Sequence, residues 1–212
     1  MKIISILFLV AFFVSSCSGQ VRERGKTKKI VGGPCEDCEA ALDYQKLDLQ
    51  LSTIDTVEGY QSFEKKIEIT GTVFKSDGKT PAKNVILYFY QTNRNGIYEP
   101  SENPVGWERR HGKYRGWVKT ESDGKFSYYS FRPAAYPDGR DPQHIHLYIV
   151  EPYKKPYYLD NYLFDDDPML IQKERDGLQN RGGSGIVVLK VGHGILTAKR
   201  DIILGLNIPN YE

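Results

Sequence analysis

Several residue types and patterns that define common functional classes are scarce in this 212-residue chain. It has three cysteines, Cys17, Cys35 and Cys38, so a four-cysteine zinc site is excluded. Only four histidines are present, at 111, 144, 146 and 193, so a site that needs two close imidazoles must draw on His144 and His146. The net charge of +2 leaves no basic excess, which argues against a dedicated nucleic-acid binder. The longest predominantly apolar stretch, Ile3 to Val14, has 12 residues and is too short to span a bilayer. No G-x-S-x-G elbow or phosphate-binding glycine loop occurs. Asp165 to Asp167 lacks the acidic spacing of a calcium loop.

Aromatic residues are plentiful. Fifteen tyrosines and nine phenylalanines suit pleated surfaces, and no long helical period competes with them. Alternation of Ile67, Ile69 and Val73 with polar residues predicts a half-buried strand that ends at Ser76-Asp77-Gly78-Lys79. Further strands are predicted at Val85–Tyr90, Arg115–Thr120, Phe126–Phe131, His144–Val150, Tyr157–Phe164, Gly185–Val191 and Ile195–Leu204, with a short helical turn within residues 36–51. Short strands separated by turn signals make an all-β sandwich or barrel, with long loops and little helix.

Three segments are expected. Residues 1–16 read as a signal peptide: Lys2 is a charged start, Ile3–Val14 an apolar centre, and Val14-Ser15-Ser16-Cys17 resembles a bacterial lipobox whose cysteine carries lipid. The plainer reading is an ordinary signal peptide in which Cys17 is discarded; in both, the mature chain leaves the cytoplasm. Residues 17–33 read as a tether, whose basic side chains either lie against anionic head groups or are simply solvated. Residues 34–212 form the domain. Cys35 and Cys38 open it as a C-x-x-C, readable as a disulfide, a metal half-site or a redox motif; without a βαβ pattern beside it, a local disulfide is expected.

The chemistry centres on Arg132 to Val150, RPAAYPDGRDPQHIHLYIV. His144 and His146 stand two apart on a predicted strand and so share one face, with Tyr136 eight residues earlier. Two imidazoles with a phenolate suit an oxidised first-row metal such as iron. The bland reading is two polar side chains on a solvent-facing strand. His111, followed by Gly112, is expected in a surface turn, and His193 in a hairpin; Trp107 and Trp117 are expected as core or rim aromatics.

Five blocks extend this reading: Gln91–Tyr98 (QTNRNGIY), Gly116–Phe131 (GWVKTESDGKFSYYSF), Arg132–Pro137 (RPAAYP), His144–His146 (HIH) and Leu163–Leu170 (LFDDDPML). In residues and order they resemble the catalytic domain of the intradiol ring-cleavage dioxygenases, over roughly Lys65 to Leu170. The lipobox and C-x-x-C also look like a group of short, exported bacterial members. The resemblance implies a β-sandwich with Fe(III) held by Tyr98, Tyr136, His144 and His146. It further implies that the substrates are a catechol-type ring and O2, that the ring opens between its hydroxyls to a muconate-type diacid, and that Tyr136 leaves the metal and helps take a substrate proton. Many members place an arginine three residues before the first histidine. Asp141 stands there in this chain, and Arg140, one residue earlier in a shortened loop, is expected to take that catalytic role. Catechol-specific members carry an N-terminal helical dimerisation region that has no counterpart in residues 18–64, so the resemblance implies no oligomeric state. The competing reading is a noncatalytic extracellular module of the transthyretin-like kind, which needs none of the four ligands together.

Overall fold

The structure is a computed structural model that describes residues 30–192 and 194–212. The predicted signal peptide, Cys17, residues 17–29 of the tether and His193 lie outside the described residues.

Two sheets face each other across one apolar core. The first is ordered β1 (Ile54–Thr56), β5 (Lys125–Phe131), β2 (Lys66–Phe74), β11 (Ile195–Lys199) and β10 (Lys190–Gly192), with β12 (Ile202–Ile203) also pairing with β2. The second is ordered β4 (Arg115–Lys119), β3 (Ile86–Tyr90), β6 (His144–Val150), β8 (Tyr162–Phe164) and β9 (Ile186–Val187), with β7 (Tyr157–Tyr158) also pairing with β6. The all-β sandwich expected from the strand pattern is what forms. Helix is confined to single turns: a 3-10 turn at Cys38–Leu42 running into α1 (Asp43–Lys46), another 3-10 turn at Tyr60–Ser62, α2 (Glu108–His111) and α3 (Gln172–Asp176).

The two-residue period of a strand decides what each face of the second sheet does. Leu87 and Phe89 of β3 and Ile145, Leu147 and Ile149 of β6 point into the core, where they meet Ile67, Ile69 and Tyr128 of the first sheet. Phe89 stacks on Tyr128 with ring centroids 4.3 Å apart. The alternate residues Ile86, Tyr88, Tyr90, Trp117 and Tyr148 form a second apolar cluster on the outer face, covered by Cys38, Ala40 and Ala41. β3 is therefore buried on both sides, which explains why its sequence is a continuous apolar run rather than an alternating one. Trp117 ties the cover down by donating its indole N–H to the Ala41 carbonyl, 3.0 Å away, and Cys35 and Cys38 are joined in the expected local disulfide.

Four expectations need correction. Residues 30–33 were assigned to the tether, yet Val31 packs against the core, the Gly32 N–H donates to the Pro209 carbonyl at 2.7 Å, and Arg181 donates to the Gly32 carbonyl at 2.9 Å. The tether signal is polar composition, and composition does not register backbone docking of this kind. The predicted strand Tyr157–Phe164 is broken: β7 and β8 both pair with β6, while Leu159 to Asn161 interrupt the ladder, with Asp160 accepting a hydrogen bond from the Asn180 N–H at 2.6 Å. Gly185–Val191 and Ile195–Leu204 each divide in two as well. β11 and β12 run side by side with successive parts of β2, and Gly71 lies between their registers, where any side chain would strike the Arg200 carbonyl. Strand β1 carries too few apolar residues for a periodicity argument to find it.

Candidate metal centre

Register on the outer face of the second sheet builds the site. β6 presents His144 and His146 on this face, and the β3 residue opposite His146 is Tyr90. The Tyr90 ring lies flat on His146, with centroids 4.2 Å apart and planes 11° from parallel. Two loops bring the tyrosines. In the first, Asn93 closes a turn by accepting the Asn95 and Ile97 N–H groups on its side chain, at 2.8 and 3.1 Å, which delivers Tyr98. In the second, Tyr136 begins a turn whose Gly139 N–H donates back to the Tyr136 carbonyl. The loops are stitched together: Thr92 donates its hydroxyl to the Ala134 carbonyl at 2.7 Å, and the Ala134 N–H donates to the Asn93 carbonyl at 3.2 Å.

Four donor atoms converge as a result. The Tyr98 hydroxyl is 2.5 Å from the Tyr136 hydroxyl and 2.7 Å from His146 Nε2. The Tyr136 hydroxyl is 3.1 Å from His144 Nε2 and 3.4 Å from His146 Nε2, and the two Nε2 atoms are 3.1 Å apart. The Pro142 carbonyl, 2.7 Å from His144 Nδ1, must accept a hydrogen bond from an N–H on that nitrogen, which leaves His144 Nε2 with a bare lone pair aimed at the group. Separations of this size are what four donors around one small cation would show, each at about 2 Å from it. The set is two phenol oxygens and two imidazoles, so among the described residues no cluster of three His, Cys, Asp or Glu marks the place. That donor set fits an oxidised first-row metal.

Burial keeps all four groups neutral when no metal is bound. It raises the Tyr98 phenol above its ordinary value, helped by Tyr136, and raises the Tyr136 phenol, helped by Asp141. It lowers both imidazoles, with His144 adding to the effect on His146. A bound cation reverses the preference of the phenols, because its charge favours the deprotonated ligand.

Arg140 does not join them, contrary to expectation. Its side chain is 81% exposed and its guanidinium pairs with Asp138 at 3.2 Å, because the Gly139 turn directs it to solvent. His111 also departs from expectation. Instead of lying in a surface turn it is 2% exposed, stacked flat on the other side of Tyr90 at 3.8 Å, with Nδ1 3.0 Å from the Tyr88 hydroxyl. His146, Tyr90 and His111 thus form a column of parallel rings behind the centre. Burial, with Arg115 and Arg110 adding to it, pushes the His111 imidazole down to about 4 from 6.5. The unfolded chain then binds a proton that the folded chain refuses, so His111 should weaken the fold as pH falls from about 6.5 to about 4. The loss is about 3 kcal/mol in full, at roughly 1.4 kcal/mol for each pH unit between the two values. Urea unfolding at pH 7 and pH 4.5 should therefore show a smaller acid-induced loss for His111→Phe than for the parent chain; equal losses would remove His111 from the account.

Sequence reasoning missed the supports. Asp167, 5% exposed, accepts the Gln143 N–H at 2.7 Å, and Arg132 donates to Gln143 at 2.6 Å and to Asp166 at 2.8 Å. These bonds hold the backbone just ahead of His144. The Asp-Asp-Asp run was the available signal, but Arg132 and Gln143, the partners of Asp166 and Asp167, are more than twenty residues away in the chain. A cavity of about 270 Å³ opens onto Tyr136, His144 and His146. A larger one, about 700 Å³, lies elsewhere beside Lys83, Glu151 and Tyr211; no histidine lines it, and size alone does not make it the reactive site.

The described residues form a β-sandwich with a two-tyrosine, two-histidine centre on the outer face of one sheet. No protein-family model matches the chain. Its sequence is 27% identical over 139 residues to the protocatechuate 3,4-dioxygenase beta chain of Burkholderia cepacia, covering 61% of this chain and 57% of that one. The chain thus spans a little over half the length of the curated relative it matches. Its fold is similar to the dioxygenase domain of a dioxygenase carbohydrate-binding protein fusion from Streptomyces sp. SirexAA-E, with a TM-score of 0.54 and 20% identity over 74% of this chain and 91% of that one. Hydroxyquinol 1,2-dioxygenase from Pseudomonas putida DLL-E4 is similar too, with a TM-score of 0.54 and 19% identity over 74% and 62%. So is catechol 1,2-dioxygenase from Acinetobacter radioresistens, with a TM-score of 0.53 and 13% identity over 72% and 56%. Sequence and fold together bear out the resemblance to the intradiol ring-cleavage dioxygenases.

Proposed function

We propose that this chain is a dioxygenase that opens a catechol-type ring between its two hydroxyls with O2, yielding a muconate-type diacid, and that Tyr98, Tyr136, His144 and His146 hold Fe(III) for it. The observation that carries this reading is the convergence of the four donor atoms within 2.5–3.4 Å of one another for each measured pair. The two Nε2 atoms, 3.1 Å apart, can be joined by one N–H···N hydrogen bond or by a shared cation, and the two phenol oxygens beside them would complete a four-donor set for the cation. A noncatalytic sandwich module has no use for such an arrangement.

Bound Fe(III) would supply Lewis acidity and a template on which the catechol hydroxyls ionise. The chain's own residues divide the remaining work. Tyr98 is the fixed donor, set against Tyr90 with ring centroids 5.8 Å apart and clamped by the Asn93 turn. Tyr136 is the movable one, because it lines the cavity and sits on a solvent-facing turn. As a phenolate on the metal it would take the proton of a substrate hydroxyl and become a neutral phenol. His144, fixed by Pro142, and His146, fixed by Tyr90, hold position throughout. Pro142 and Leu163 narrow the cavity around the ring.

The test is direct. Protein loaded with ferric iron should bind one equivalent, show a visible tyrosinate-to-iron charge-transfer band, and consume one O2 per catechol. A chain that takes up iron without that band, or shows the band and consumes no O2 with any catechol, would defeat the proposal.

A further inference from the structure

Cys35 and Cys38 take no part in the chemistry proposed above, and stability alone does not account for their disulfide. The two stand three positions apart, and the stabilisation a disulfide gives through the unfolded chain is smallest for short loops. In the folded chain the bond fixes the two residues it encloses, Glu36 and Asp37. Asp37 sits at φ +61°, in the left-handed region that a residue other than glycine adopts reluctantly, so the loop keeps this shape only while something holds it.

Both enclosed residues reach the column of rings behind the centre. Tyr148 donates its hydroxyl to the Glu36 carbonyl at 3.3 Å. The Tyr90 hydroxyl, 2.8 Å from that of Tyr148, must then be the donor in the bond between them, so a chain of two hydroxyls runs from the loop to the ring that lies flat on His146. Asp37 acts on the other end of the column. Its carboxylate pairs with Arg110 Nε at 2.8 Å and stands 3.8 Å from Nε2 of His111, the next residue of α2 and the ring on the far side of Tyr90. Cys38 itself, 3% exposed, packs in the same apolar cluster as Tyr90 and Tyr148. The two imidazoles of the centre are therefore held differently. His144 is fixed by the Pro142 carbonyl, whereas His146 rests on the face of a ring whose anchor is the disulfide loop.

We infer that Glu36 and Asp37 are positioning residues for His146, acting through Tyr148, Tyr90 and His111, and that the Cys35–Cys38 disulfide is a redox-sensitive clamp on the metal centre. A dithiol would release the clamp by thiol–disulfide exchange. The S–S bond breaks, Cys35 and Cys38 each become a thiol, and the dithiol gives up two electrons and two protons and closes into a disulfide of its own. Cys35 is half-buried between exposed Pro34 and Glu36, so the exchange starts at its sulfur. The rest of the cover stays in place, because Trp117 holds the Ala41 carbonyl and Arg115 pairs with Asp43 at 3.1 Å. This rests on the four-donor metal centre proposed above and adds what controls it.

Two variants of the full chain test it. Cys35→Ser/Cys38→Ser removes the disulfide with no reductant present to disturb the iron. Tyr148→Phe keeps the disulfide and the ring but cuts the hydroxyl chain. Ferric affinity, the position of the tyrosinate-to-iron band and the urea midpoint are measured for the parent, for each variant and for the triple variant. Loss of a direct outer partner of a metal ligand costs roughly 10–100-fold in affinity, so each change, acting one ring further out, should cost about three- to tenfold and shift the band. Adding Tyr148→Phe to the disulfide-free chain should cost little more, because both changes cut the same chain of contacts. Parent-like affinity and band in either variant, with only the urea midpoint moved, would overturn the inference and leave the metal centre intact, and so would losses that multiply in the triple variant. Tyr148→Phe keeps the test decisive where the disulfide-free chain does not fold. A parent chain that takes up no iron or shows no band would instead bring down the metal centre, and this inference with it.

Discussion

His146→Ala is expected to leave a folded, colourless protein that neither retains ferric iron through a desalting column nor consumes O2 with catechol. His146 Nε2 lies within 3.4 Å of all three other donors, so its removal opens the centre on every side. The loss in metal affinity should exceed the roughly 10–100-fold that loss of an outer hydrogen-bond partner costs. The fold should survive, because His146 faces outward while its neighbours Ile145 and Leu147 fill the inter-sheet core. Circular dichroism and a urea midpoint near that of the parent chain would establish this, and iron content with the visible band would report the centre. Retention of parent-like iron and colour by His146→Ala would mean that the four donors are not a metal site.

The second large effect is expected from a residue that touches no metal. Gly96 sits at φ +75°, and a Cβ there would be driven into the Ala135 carbonyl, one residue before Tyr136. Gly96→Ala therefore meets two obstacles: the left-handed conformation itself, at roughly 1–2 kcal/mol, and a backbone oxygen that cannot rotate away. Relief requires the Tyr98 loop and the Tyr136 turn to separate, and with them the two hydroxyls now 2.5 Å apart. Iron affinity should fall by at least about tenfold even where the global fold is kept, since loss of supporting structure alone commonly costs 10–100-fold. Gly139→Ala is the matched comparison. It has a similar φ of +65° on the Tyr136 turn but nothing within 4 Å of the added carbon, so it should cost only the roughly 1–2 kcal/mol of the left-handed conformation and little iron. Equal iron losses in the two variants would show that turn strain, and not the Gly96–Ala135 approach, controls the centre.

Much of the site was legible because the information is local. An H-x-H on a strand places both imidazoles on one face whatever the rest of the chain does, and β6 obeys. Gln91–Tyr98 and Arg132–Pro137 were recognisable as blocks because tight loops need particular residues at fixed places, such as Asn93 to accept two N–H groups and Gly96 to pass beneath Ala135. Arg140 and His111 were misplaced for the complementary reason. A charged side chain in a short loop can point either way, and the Gly139 turn with Asp138 sends Arg140 outward. A histidine before a glycine looks like a turn residue until the Tyr90 ring is found lying on it.

By itself the sequence determined the all-β class, the position of the strand that carries His144 and His146 and the local disulfide, all of which follow from periodicity and from residues close together in the chain. Only the tertiary structure decided that the centre lies on the outer face of the second sheet, that Tyr90 and His111 stack behind His146, that Asp166 and Asp167 hold the segment ahead of His144, and that a second cavity adjoins the one at the centre along Asn161, Leu163 and Leu178. Each of these joins residues 14 or more positions apart, and which of the many possible partners meets which is settled by strand register and burial, quantities that appear only once two sheets have closed on a shared core.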